Sequence, residues 1–122
     1  MKLPRKISKE VERGLPPRLL RIVTEYVLAH LDETISVQEM ADLVKMSPYH
    51  FGRLLKQTTG HSPHQYLLEL RMAKARELLI DPPLSLAEIS SQLGFASRAH
   101  FTTAFRKRIG ETPKEYRLKN SR

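Results

Sequence analysis

The stretch Gly94-Phe95-Ala96-Ser97-Arg98-Ala99-His100-Phe101-Thr102-Thr103-Ala104-Phe105-Arg106-Lys107-Arg108-Ile109-Gly110 decides how this chain is read. On a wheel of 3.6 residues per turn, Phe101, Ala104, Phe105 and Ile109 fall on one side, and Ala99, Thr102, Thr103, Arg106 and Lys107 on the other. Ser97 stands where an N-cap belongs, and Gly110 where a helix ends on a glycine. The outer face is small near its N-terminus and basic further on. Such a face suits a helix lying in a DNA groove beside phosphates. It also suits a solvated surface helix, so the choice rests on the rest of the chain.

Working outward, the same pattern occurs once before. At an offset of 50, Ser47, His50, Phe51, Lys56, Gly60, Pro63 and Tyr66 match Ser97, His100, Phe101, Arg106, Gly110, Pro113 and Tyr116. At an offset of 49, Ser36, Val37, Glu39, Met40 and Val44 match Ser85, Leu86, Glu88, Ile89 and Leu93. The one-residue step falls between two short helices, where a turn absorbs it. Ser36-Val37-Gln38-Glu39 and Ser85-Leu86-Ala87-Glu88 are capping boxes, each opening a short helix. Ser47-Pro48 and Ser97 open the helix that follows. Each copy is therefore helix, tight turn, helix, then a docking helix, and its first two helices form a candidate helix-turn-helix. Gly94 fills the turn of the second copy and Lys45 that of the first. Ala41 and Ser90, four residues earlier, are small enough to let the helices approach.

The flanking elements complete an all-α chain of about seven helices, with no strand-like alternation. Residues 1–14 read as a flexible basic arm or linker. Pro16-Pro17 starts a helix ending near Asp32, with Leu19, Leu20, Val23, Val27, Leu28 and Leu31 as its apolar stripe. Residues 15–62 form the first helix-turn-helix subdomain. Residues 63–81 form a long connecting helix with Tyr66, Leu67, Leu70, Ala73, Leu78 and Leu79 as its apolar set, stopped by Asp81-Pro82-Pro83. Residues 82–122 form the second subdomain. The architecture expected is homeodomain-like.

Composition narrows the partner. The 122 residues hold 21 Lys+Arg against 13 Asp+Glu, a formal net charge of +8 and a pI near 10.0. That balance favours a polyanion, nucleic acid before an anionic membrane surface. The charge is uneven. Lys2, Arg5, Lys6, Lys9, Arg13, Arg18 and Arg21 crowd the N-terminus, whereas Glu25, Asp32, Glu33, Glu39 and Asp42 make the next stretch acidic. One acidic surface is expected to face away from a polyanion, with RNA polymerase as its candidate partner. There is no cysteine, hence no disulfide, thiolate zinc site or cysteine nucleophile. The absence fits a reducing cytosol. No apolar run approaches the roughly 18 residues of a membrane span, and no signal-peptide pattern opens the chain. No nucleophile–base pair, glycine-rich phosphate loop or metal constellation appears, so neither enzyme activity, nor a cofactor, nor a metal is expected. His61-x-x-His64 reads as a surface pair.

The region from about Leu15 to Arg117 resembles the DNA-binding domain of AraC/XylS-family bacterial transcription regulators. The carriers are Ile89-Ser90-x-x-Leu93-Gly94-Phe95, Phe101-x-x-x-Phe105-Arg106-Lys107, Gly110-x-x-Pro113-x-x-Tyr116-Arg117, and Arg71-Met72-x-x-Ala75 with Leu78-Leu79. The resemblance implies two recognition helices entering successive major-groove segments on one face of double-stranded DNA, roughly 34 Å apart. It places base-reading positions on Tyr49, Gly52 and Arg53 in the first helix, and on Arg98, Ala99, His100 and Thr103 in the second. A basic residue is frequent in the family where this chain has Thr103, so guanine readout is expected from Arg53 instead. Arg53 suits guanine bidentately, while Ala99 and Thr103 offer methyl surface to thymine. Gly52 reads no base but lets backbone approach DNA. Lys56, Arg106 and Lys107 are expected on phosphates, as are the helix starts capped by Ser36 and Ser85. His50 and His100, each preceding a buried Phe, share a packing or phosphate role. Phe95, Tyr66 and Tyr116 are core or docking anchors.

The function expected is a sequence-specific DNA-binding transcription regulator acting in the cytoplasm on the nucleoid. The domain is expected to be monomeric, within a longer effector-responsive protein able to dimerise. The alternatives are a free-standing regulator without an effector domain, and a helical protein-interaction module with a basic surface.

Overall fold

The computed structural model describes residues 14–80 and 84–120. Among them are seven helices and no strand: α1 (Pro17–Ala29), α2 (Val37–Leu43), α3 (Pro48–Thr59), α4 (Pro63–Ile80), α5 (Leu86–Gln92), α6 (Arg98–Ile109) and α7 (Pro113–Asn120). The arm expected over residues 1–14 lies, except for Gly14, outside the described residues, as does the Asp81-Pro82-Pro83 stop.

The chain forms two compact units. The first is built from the described residues of Met1–Ala29 with Ile35–Leu68, the second from those of His30–Thr34 with Glu69–Arg122. Helix α1 ends at Ala29, earlier than the periodicity predicts, and the segment 30–34 that follows it belongs to the second unit.

Capping explains where the helices begin. The Ser36 hydroxyl accepts from Glu39 N at 3.0 Å, and Ser36 N donates to the Glu39 carboxylate at 3.1 Å. Ser85 and Glu88 repeat this at 3.0 and 2.8 Å. The same reciprocal pair opens α4 through Ser62 and Gln65, and α7 through Thr112 and Glu115. Ser47 and Ser97 each accept from the amide three residues on, and Gly60 and Gly110 close α3 and α6 in the left-handed region.

The two tight turns share one geometry. Met46 N donates to Ala41 O and Lys45 N to Asp42 O; Phe95 N donates to Ser90 O and Gly94 N to Ser91 O. These are the paired bonds of a Schellman ending, which requires a left-handed residue between the helices. Gly94 supplies it at φ 77 and Lys45 at φ 59. The second copy needs glycine for a further reason: a Cβ there would lie 2.5 Å from Leu31 O. Lys45 is solvent-exposed, so the first copy bears only the conformational cost, about 1–2 kcal/mol.

The first unit's core is centred on Val23, Val27, Met40, Phe51 and Leu55, all fully buried. Tyr66 is tied to it by a 2.7 Å hydrogen bond between its hydroxyl and that of Thr24. The second unit is centred on Met72, Leu79, Ile89, Phe101 and Phe105. Its rings form a ladder, Phe95 to Phe101 to Phe105 to Tyr116, with centroids 5.3, 5.8 and 5.6 Å apart. This satisfies the anchor role expected of Phe95, Tyr66 and Tyr116. Two core assignments change. Ala73 is exposed while Met72 and Ala75 are buried, and Leu28 is exposed.

Candidate nucleic-acid interface

Helix α3 divides as its sequence predicts. Phe51, Leu54 and Leu55 are buried, which turns Tyr49, Arg53 and Lys56 outward. Tyr49 is 80% exposed, an unusual setting for a large ring. Gly52 is half-buried among these residues. Its Cβ, were it alanine, would lie 3.6 Å from the Pro63 ring, an ordinary contact, so internal packing does not demand glycine.

Helix α6 does the same in the second unit. Phe101 and Phe105 point inward, and Arg98, Ala99, His100, Thr103, Arg106 and Lys107 are exposed. Thr102 is half-buried. The backbone amides of His50 and His100 donate to Ser47 Oγ and Ser97 Oγ, so both histidines serve their caps through the main chain; His50 is half-buried and His100 exposed.

The cations divide into two groups. Among the described residues, Arg53, Lys56, Arg98, Arg106 and Lys107 make no ion pair. All five lie on the outward faces of α3 and α6. Other arginines are consumed by the fold. Arg117 Nε donates to Leu79 O at 2.8 Å, and its terminal nitrogen donates to Leu84 O at 2.7 Å. Arg108 Nε donates to the Glu69 carboxylate at 2.6 Å. Arg71 donates to Leu31 O and Glu33 O. Sequence reasoning counted these three with the rest of the positive charge. The available signal was position: none sits on the outward face of a recognition helix, and Arg71 and Arg117 fall in motifs outside those helices.

Ser36 and Ser85 are exposed at their helix starts, but the capping boxes already use their amides and hydroxyl acceptors. Each hydroxyl retains one proton to donate. The Glu88 carboxyl is held below its usual pKa, first by the Ser85 amide and then by the Ser85 hydroxyl. Glu115 is lowered in the same way by Thr112, and to a smaller extent by the nearby charge of Arg106, which makes no ion pair with it. Among the described residues no group of three or more His, Cys, Asp or Glu is placed to hold a metal ion, and no helix is long and apolar enough to cross a membrane.

Each unit thus presents one exposed, partly cationic helix, the second of its helix-turn-helix. The family model described as a helix-turn-helix domain matches residues 40–119. A transcriptional regulator of Chromobacterium violaceum, described as an AraC-type DNA-binding domain-containing protein, superposes with a TM-score of 0.79 at 33% identity, over 84% of this chain and 92% of that one. The chain belongs to the AraC/XylS family. The DNA-binding domain of AdpA, a global transcriptional factor, solved in complex with a target DNA, superposes with a TM-score of 0.75 at 32% identity, over 83% of this chain and 90% of that one. The regulatory protein PocR of Salmonella typhimurium is 36% identical over 112 residues, which is 90% of this chain and 37% of PocR. This AraC/XylS chain thus spans little more than a third of that relative, and what it carries is the helix-turn-helix DNA-binding domain of a transcription regulator.

Proposed function

We propose that this chain binds double-stranded DNA sequence-specifically and regulates transcription as the DNA-binding part of a longer, effector-responsive bacterial protein. The observation that carries this reading is the outward helix face, present in two copies, whose cations make no ion pair among the described residues while neighbouring arginines are used internally. Each unit offers one recognition helix to a major-groove segment. Arg53 has the fork geometry for guanine O6 and N7. Tyr49, Arg98, Ala99, His100 and Thr103 complete the base-facing set, with Gly52 allowing close approach. Lys56, Arg106 and Lys107 neutralise phosphates, and the Ser36 and Ser85 hydroxyls donate at the rim. The site of action is nucleoid DNA in the cytoplasm. RNA polymerase is the partner suggested by the exposed carboxylates Glu25 and Asp42 of the first unit. The domain acts as a monomer, and any dimerisation belongs to the longer protein.

Selection of bound duplexes from a random pool tests the reading. Two short half-sites about one helical turn apart are expected. Neutralising about six phosphates gives a slope of roughly −5 for log affinity against log salt. Binding to the selected duplex that is independent of salt overturns the proposal. A single half-site restricts readout to one recognition helix.

A further inference from the structure

The two copies differ at the centre of their outward faces. The first has Gly52 where the second, at the offset of 50, has Thr102. Beside Gly52 opens a groove of about 330 Å³, lined also by Val37, Pro48, Tyr49, Arg53, Lys56, Ser62 and Pro63. Its surface is almost wholly apolar, and Arg53 and Lys56 are exposed residues of its lining. In the second copy the Thr102 side chain, half-buried, stands at the position equivalent to Gly52. Glycine is a poor helix residue, its backbone here is not left-handed, and a Cβ would fit. The fold therefore gains nothing from Gly52, and what it provides is the open groove.

We infer that this groove receives the 5-methyl group of a thymine in the major-groove segment read by α3. The inference rests on the DNA-binding reading above and assigns one subsite within it. The thymine methyl is the one apolar group that bases present in the major groove, and a surface that is almost wholly apolar suits it better than the polar edges of the other bases. The exposed Arg53 and Lys56 of its lining match the phosphates and neighbouring base edges that accompany such a methyl. Charge alone would also admit an acidic, apolar protein segment, but the groove lies on the face from which the other base-reading candidates project.

The test removes the methyl and nothing else. In the selected duplex, each thymine of the half-site bound by α3 is replaced singly by deoxyuridine, and the affinity of the full chain is measured. At one position a loss of about four-fold is expected, the worth of one buried methyl. Gly52→Thr, which copies the second unit, should bring the thymine-to-uridine ratio at that position towards one. Gly52→Ala, which fits the existing space, should reduce it part-way. Equal affinities for all uridine duplexes overturn the inference while leaving sequence-specific binding intact, as does a ratio that survives Gly52→Thr. Absence of salt-dependent binding to any duplex overturns both readings. An acidic peptide as the groove's occupant would be marked by uridine insensitivity with competition from that peptide.

Discussion

The Arg71 guanidinium lies over the Phe95 ring, its central carbon 5.9 Å from the ring centroid. From there it donates to Glu33 O at 3.0 Å and to Leu31 O at 3.3 Å. It thereby fastens the segment 30–34 to the turn that precedes the second recognition helix. The arrangement has an unfavourable side: Arg71 Nε is buried and finds no partner among the described residues, and desolvation lowers the pKa of the group. Arg71→Met keeps most of the apolar stem but leaves two carbonyls without their charged donor. A loss of about 2 kcal/mol is expected, since hydrogen bonds to charged groups contribute about 1.5–3 kcal/mol. Urea denaturation should show a lower midpoint at unchanged slope. Arg71→Lys should not restore stability, because a single ammonium cannot reproduce the planar fork. Wild-type stability in both variants would remove the fastening role.

Acid should weaken the second unit through its capping boxes. Glu88 and Glu115 both have folded-state pKa values below the ordinary one. A carboxyl depressed on folding contributes stability that is present above its unfolded pKa, about 4.3 for glutamate, and lost as pH falls through the folded value. The melting temperature should therefore fall as pH drops below about 4.3. Glu88→Gln keeps an oxygen to accept from Ser85 N but cannot titrate there. Its melting temperature should fall less steeply over the same acid range, as followed by circular dichroism. An acid profile parallel to wild type would show that the carboxylate is immaterial.

The legibility of these features in sequence differed for physical reasons. Helix starts and turns were readable because local chemistry sets them: Ser36 with Glu39, Ser85 with Glu88, and the matched positions of Lys45 and Gly94. The repeat made Lys45 interpretable as a turn residue despite its poor propensity. The buried face of α4 was not readable in full. Leu67 is buried in the first unit's part of that helix, and Met72, Ala75 and Leu79 in the second's, so no single stripe runs along it. The periodicity consequently selected Ala73 in place of Met72. The division of cations was also hidden. Arg106 and Arg108 differ by two positions in α6, yet one is exposed and the other engages Glu69, a partner 39 residues away. Only the tertiary fold brings Glu69 there. The outward positions of Tyr49, Arg53 and Thr103 followed directly from the burial of Phe51, Leu55, Phe101 and Phe105.

Gly52 predicts a conflict between stability and function. Within a helix, glycine is about 1 kcal/mol less favourable than alanine, and the nearest atoms to an added Cβ are Pro63 Cγ at 3.6 Å and Cδ at 3.7 Å. Gly52→Ala should therefore raise stability by up to about 1 kcal/mol, visible as a higher urea midpoint. The same substitution should weaken binding to the selected duplex. A variant both more stable and tighter-binding would show that glycine serves neither fold nor DNA.

Lys56 and Arg53 are separated by less than one helical turn, yet they should respond differently to salt and to sequence. Lys56 is exposed and unpaired among the described residues, and its compact ammonium suits a phosphate. Lys56→Ala should weaken binding to all duplexes alike and reduce the salt slope by about 0.9, the contribution of one neutralised phosphate. Arg53→Ala should instead cost about 1–3 kcal/mol at one base pair and leave other positions unaffected. Arg108→Ala supplies the contrast. Its charge is already matched by Glu69, so the salt slope should stay within error of wild type. Fluorescence-anisotropy titrations from low to physiological salt, on the selected duplex and on single-base variants, measure all three. If Lys56→Ala and Arg108→Ala lower the slope equally, the division between free and engaged cations does not govern binding. If Arg53→Ala weakens every duplex to the same extent, Arg53 holds a phosphate and the first recognition helix reads its half-site through other residues.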